Sequence, residues 1–248
     1  MCKETPHFDR TRNVRIDLPP CCREKLMAVT RFVINDFNRL EIPYMLFSGA
    51  VLGWMRNRKF VPYDQDIDIW MDSRYWNTRQ FNELRRNWTT KFGLYTEYRD
   101  ERQKLWTFFS DTNLQGLDIW PWYVDEENSD GTFRKSSHSR SVEGYPHGTL
   151  RKPLNALDDT STYNQMSYDE DVVEYESSSE RMVRLGDVFE GKWACPYDTI
   201  FPRKRVEFEG MVTYLPNKPS EYNRITYGEN WKEEMTCTKT NEDRKCTE

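Results

Sequence analysis

The chain has 248 residues, 37% apolar and 31% charged, with a formal net charge of -5; that length is enough to bury a real core, and one large domain is expected. Aromatic residues make up 15% of it, nine of them Trp, which excludes a disordered chain, and the acidic balance without a long basic block gives no electrostatic reason to expect a nucleic-acid partner. No run of about 18 apolar residues occurs and "MCKETPHFDRTRNVR" contains no hydrophobic stretch, so neither a membrane span nor a signal peptide is expected here, and membrane association would need a segment outside this chain.

Residues 1–21 read as an N-terminal extension. From Cys22 to Leu40 the apolar Leu26, Val29, Val33, Phe37 and Leu40 recur at helical spacing, which predicts an amphipathic helix. "IPYMLF" reads as a short buried strand, and "SGAVLGWMRN", with Gly49 and Gly53, as a strand-to-helix turn where the backbone comes close to something. "IDIWM" predicts a second strand and residues 77–91 a helix. "GLYTEYR", "KLWTFFS" and "GLDIWPWYV" add three strand candidates rich in β-branched and aromatic residues. The sheet core is thus expected between residues 42 and 124.

Residues 125–180 are Ser-rich, polar and charged, and predict a loop-rich insertion or lid. Beyond them, "FPRKRVEFEGMVTYLP" predicts a hairpin. "KPSEYNRITYGENW" predicts a short helix opened by Pro219 and Ser220 and stopped at Gly228. Residues 233–248 read as a tail. The expected class is α+β, a mixed sheet flanked by helices.

The six cysteines, at 2, 21, 22, 195, 237 and 246, form no CxxC pair, so a zinc ribbon is not expected, while disulfides are allowed by the even count. "NWT" makes Asn87 a glycosylation acceptor. Together these favour the secretory pathway or Golgi lumen, with a cytoplasmic location as the alternative.

The stretch "FVPYDQDIDIW" places Asp64, Asp66 and Asp68 at alternate positions before an apolar run. Side chains alternate faces along a strand, so Asp66 and Asp68 are expected on one side with Ile67 and Ile69 on the other. Carboxylates so placed can converge on divalent ions, and two metals about 3.5 to 4 Å apart form the usual clamp for displacement at phosphorus. Hard oxygen donors favour Mg2+ or Mn2+. A calcium loop is excluded, because the positions needing Gly and Glu hold Ile69 and Tyr75. Asp118, between Leu117 and Ile119, is read either as a structurally paired carboxylate or as a third ligand or base. The turn at Ser48 and Gly49 would offer helix N-terminal amides to phosphate oxygens.

The order of "FSGAVLGWMRNRKFVPYDQDIDIWM", "GLDIWPW" and "FPRKRVEFEGMVTYLPNKPSEYNRITYGENW" resembles the LicD family, which includes bacterial phosphocholine transferases and animal fukutin and fukutin-related proteins, across residues 22–232. The resemblance implies a nucleotidyltransferase-like catalytic domain. It also implies transfer of an alcohol phosphate, such as phosphocholine or ribitol phosphate, from a CDP-linked donor to a sugar or glycan hydroxyl, with CMP leaving. By the same resemblance Ser48, Gly49, Gly53 and Arg56 match the nucleotide- or phosphate-binding turn, and Asp66 and Asp68 the metal pair. Asp118 matches a third catalytic carboxylate, and Asp64 a further metal or supporting ligand. Arg203, Lys204 and Arg205 match a segment expected to face the diphosphate, and Tyr227, Gly228 and Trp231 a terminal signature with a structural helix-end role. The common double glycine of the family is Ser48-Gly49 here. A zinc site is not evident, although His138, His147 and Cys195 could contribute to one. Two alternatives stand beside this reading: a DxD glycosyltransferase using a nucleotide sugar, and a non-catalytic homologue that binds nucleotide and metal.

Overall fold

The computed structural model describes residues 17–76, 78–99, 104–109, 116–134, 179–185 and 194–233, together with two-stranded ladders joining 8–9 to 14–15 and 236–239 to 244–247. The first helix, α1 (Pro20–Arg39), opens with proline at its first turn, where a missing N–H costs nothing. It buries Cys22, Leu26, Val29, Val33 and Phe37, close to the stripe read from the sequence. Its chain leads into β1 (Tyr44–Phe47), α2 (Gly49–Asn57) and β2 (Ile67–Asp72). Then come α3 (Arg79–Phe92), β3 (Leu94–Arg99), β4 (Lys104–Phe109) and β5 (Leu117–Val124). After the insertion follow β6 (Met182–Leu185), β7 (Ala194–Pro196), the one-turn α4 (Tyr197–Ile200), the hairpin β8 (Lys204–Phe208) and β9 (Met211–Leu215), and α5 (Pro219–Tyr227).

Seven strands, β1 to β7, form one mixed sheet. β2 runs antiparallel to β1 and parallel to β5 in exact step along its length, Ile67 facing Leu117 and Asp72 facing Trp122. The far edge of β5 is shared: its first half pairs with β4 and its second half with β6. Strand alternation then sorts the side chains. One face carries Ile67, Ile69, Met71, Leu117 and Ile119, all buried. Here α1 and α3 pack, with Phe37 against Tyr44, Phe81 and Trp88, and Trp88 donating to Asp36 at 2.7 Å. The opposite face carries, in successive rows, Asp68 with Asp118, Trp70 with Trp120, and Asp72 with Trp122. Tyr222 of α5 meets Trp70 edge-on at 6.2 Å, so α5 covers the middle row and leaves a carboxylate row at either end.

The fold is therefore α+β, as the sequence predicts. Of the insertion, 125–134 forms a small hairpin pairing Glu126–Glu127 with Phe133–Arg134; most of the rest lies outside the described residues. Among the described residues no helix is long and apolar enough to cross a membrane. Asn87 lies on the exposed side of α3. Cys22 is disulfide-bonded, whereas Cys21 and Cys195 are free thiols.

Candidate active site

A cavity of about 350 Å³ opens at the end of the sheet where β1 leaves and β2 and β5 begin, and Ser48, Gly49, Arg56, Asp64, Asp66, Asp68 and Tyr227 line it. The parallel register sets Asp68 beside Asp118 on neighbouring strands. The strand starts at Ile67, so Asp66 and Asp64 reach the cleft from the preceding loop, turned by the bond from the Asp64 amide to the Val61 carbonyl at 3.0 Å. Asp66 and Asp68 thus line the same cleft, Asp66 from the loop just before the strand, and the strand neighbour of Asp68 is Asp118. Burial foremost, then the charges of Asp66 and Asp118, push the Asp68 carboxyl well above the usual carboxylate range, with Asp64 adding to the rise. The indole N–H of Trp120, donating to Asp68 Oδ1 at 3.0 Å, works the other way. The donors gathered here are carboxylates, suited in kind to a hard divalent cation. Among the described residues, however, no three His, Cys, Asp or Glu side chains already form a closed metal cage.

The turn into α2 is built around Ser48, whose φ of 54° and ψ of -133° are glycine-like and strained for a serine. Two tyrosines of α5 hold it: the Ser48 N–H donates to the Tyr222 hydroxyl at 2.8 Å, and the Ser48 hydroxyl lies 3.3 Å from that of Tyr227. Burial raises both phenols, and nearby Asp68 and Asp64 raise Tyr227 further, so both stay neutral hydroxyls near pH 7. The sequence predicts a helix-end role for Tyr227; because α5 crosses the sheet beside Ser48, the fold also places its hydroxyl in the cleft.

The glycines have steric reasons. A methyl group at Gly49 would lie 2.2 Å from Asp64 Oδ2, so the carboxylate of Asp64 rests against the start of α2, where the helix dipole favours an anion. A methyl at Gly53 would lie 2.4 Å from the Lys59 carbonyl, which makes that glycine a packing residue of the loop leading to the acidic stretch. Arg56 lines the cleft, but its guanidinium donates to the Trp231 carbonyl at 3.0 and 2.7 Å and to the Glu233 carbonyl. It thereby fastens the segment after α5 alongside the cleft.

The basic trio is not brought to this cleft. Lys204 and Arg205 are exposed on β8. Arg203 turns to the other end of the sheet face, where it donates to the Tyr44 carbonyl at 2.5 Å and lies over the Tyr214 ring. The local cause is the edge of the hairpin, which packs against β1 through Tyr44 and Tyr214, 5.6 Å apart. His138 and His147 lie outside the described residues, and the buried Cys195 thiol is pushed up to about 12, first by burial and then by Glu221, which disfavours the thiolate that zinc requires.

Residues 41–158 match the family described as LicD/FKTN/FKRP, nucleotidyltransferase domain. This match, over a little under half of the chain, agrees with the resemblance read from its motifs. Two curated relatives, each named "Ribitol 5-phosphate transferase FKRP", from Homo sapiens and Mus musculus, are 27% identical over 108 residues. That match covers 42% of this chain and 22% of the relatives' length. A solved structure, the lincosamide antibiotic adenylyltransferase LnuA bound to lincomycin, covers 87% of this chain and 89% of its own at 10% identity and a TM-score of 0.39, a likeness too slight to bear on function.

Proposed function

We propose that this chain is a divalent-metal-dependent phosphotransferase that moves an alcohol phosphate from a CDP-linked donor to a glycan hydroxyl. The observation that carries the reading is the set of carboxylates Asp64, Asp66, Asp68 and Asp118 beside the start of α2, inside a LicD/FKTN/FKRP nucleotidyltransferase domain. The name of the two mammalian relatives supports ribitol phosphate as the transferred group.

Asp66, Asp68 and Asp118 would hold Mg2+ or Mn2+, whose charge, when bound, offsets that of the donor diphosphate. The first amides of α2, at Gly49 and beyond, would receive a phosphate oxygen. Asp64 lies against the same helix start and would have to yield that position or share it through a cation. Tyr227 and Ser48 present hydroxyls to the cleft and would orient the donor. Asp118 or Asp64 would take the acceptor proton as the hydroxyl attacks phosphorus and CMP leaves. The secretory pathway is the compartment proposed, supported by a disulfide-bonded Cys22 and an exposed Asn87 sequon.

The test is CMP release and phosphodiester formation with CDP-ribitol, CDP-choline and CDP-glycerol, with Mg2+ or Mn2+ and a glycan acceptor. Turnover with UDP-sugars instead would establish the glycosyltransferase alternative. Binding of CDP and metal without turnover of any donor would establish a non-catalytic homologue.

A further inference from the structure

The opposite end of the same sheet face holds a second cavity, of about 870 Å³, within the range of small-molecule sites. It opens at the row of Asp72 and Trp122, four residues along β2 from Asp68 and so about 13 Å away at the strand rise. Two half-buried guanidiniums face it, Arg203 and Arg181. Arg203 is held by the Tyr44 carbonyl and lies 4.7 Å from the Tyr214 ring centre and 6.0 Å from that of Trp122. Arg181 donates to the Asp125 carbonyl at 3.2 Å and lies 4.5 Å from the Tyr197 ring centre. Neither forms an ion pair with a carboxylate among the described residues. The other acidic and basic groups nearby are matched: Arg74 forks onto Asp72 and Arg184 onto Asp125, and Arg134 pairs with Glu126 through a single contact at 3.1 Å.

A partly desolvated guanidinium with no ion pair among the described residues is costly to keep, even with Asp72 near Arg203. Both guanidiniums are already aligned on rings, so the fork of donors that binds phosphate or carboxylate is preorganised. The ring faces of Tyr214 and Tyr197 are taken by these arginines, which leaves the rings as supports and not as a sandwich for a nucleotide base. Ser73 and Glu126 add hydroxyl and carboxylate partners on the wall, and Phe201 and Trp122 add apolar edges. We infer that this cavity is a second ligand site, separate from the acidic cleft, which binds a carbohydrate bearing a phosphate or carboxylate. The anion is taken by Arg203 and Arg181, and the sugar hydroxyls by Ser73 and Glu126.

This inference does not depend on the chemistry proposed for the acidic cleft, and the two are separated by working without divalent metal. The chain in EDTA is titrated calorimetrically with glucose 6-phosphate, glucuronate, glucose, inorganic phosphate and a phosphoserine peptide. Saturable binding of the two charged sugars is expected, with glucose and inorganic phosphate weaker. Arg203→Lys and Arg181→Lys keep the charge but lose the fork, and each should weaken binding roughly tenfold. Asp66→Asn with Asp68→Asn should leave it unchanged. If Arg203→Lys does not fold, Arg181→Lys alone carries the comparison. Several results would overturn the site: no binding, inorganic phosphate or the phosphopeptide binding as tightly as the sugars, indifference to the lysine variants, or loss of binding in the aspartate variants.

Discussion

At one end of the inner sheet face Asp68 and Asp118 stand side by side with Asp66 and Asp64 close by, and each raises the cost of ionising Asp68. At the other end of the same strand the buried Asp72 accepts from the Arg74 amide at 3.0 Å and from its guanidinium at 2.6 Å. The two ends differ in what surrounds a carboxylate of the same strand. Where a cap and a counter-ion come from the chain itself, the aspartate stabilises the fold. Where like charges are collected instead, ionising Asp68 carries a cost that a bound cation would reduce.

The largest effect expected to test this contrast is on turnover. Asp68→Asn should reduce CMP release by roughly 10²- to 10³-fold, the usual cost of losing one charge-stabilising group. It should also raise the melting temperature in EDTA, because the amide oxygen can still accept from Trp120 while the repulsion disappears. A fall in melting temperature would show that Asp68 is paired for stability in the way Asp72 is. The mirror experiment is Asp72→Ala, which removes the cap and the Arg74 partner. It should cost about 1 kcal/mol in urea unfolding with no effect on donor turnover.

A packing change tests how the acidic loop is held. Gly53→Ala forces a methyl against the Lys59 carbonyl and should cost about 1 to 3 kcal/mol, the usual range for overpacking. The expected readout is a lower urea midpoint without a change in slope.

Metal and pH sharpen the same point. The carboxyl of Asp68 is raised in the folded state, so the folded chain holds this proton more readily than the unfolded one. Its contribution is fully present below the unfolded value near ~3.9 and is lost as pH rises through the folded one. The increase in melting temperature on adding Mn2+ should therefore be greatest near neutral pH and shrink on acidification. An increase independent of pH would separate metal binding from Asp68.

The smallest effect concerns the strained turn. Ser48→Gly should gain up to about 1 kcal/mol by relieving the positive φ, less whatever the contact with Tyr227 contributes. Tyr222→Phe, which removes the acceptor of the Ser48 amide, should cost about 1 kcal/mol. Opposite signs in the two melting curves would mark Ser48 as held by α5 against its own preference.

Much of this was legible in the chain. The apolar spacing of α1, the glycine-marked turn before α2 and the strands 67–72 and 117–124 follow from local rules of periodicity and turn chemistry, and three ordered motifs carried the family. The motif around Arg203 gives only a neighbourhood in sequence, while the hairpin edge that packs on β1 decides which end of the sheet its guanidinium reaches.

Local sequence therefore determined the elements and the cluster Asp64-Asp66-Asp68, since backbone preferences and alternation act over a few residues. Only the tertiary structure decided that Asp118 stands level with Asp68, that Tyr222 and Tyr227 hold Ser48, and that the Asp68 cleft and the Arg203-Arg181 cavity lie at opposite ends of one face. Parallel register and helix placement are set by contacts between residues far apart in the chain, and no short stretch of sequence encodes them.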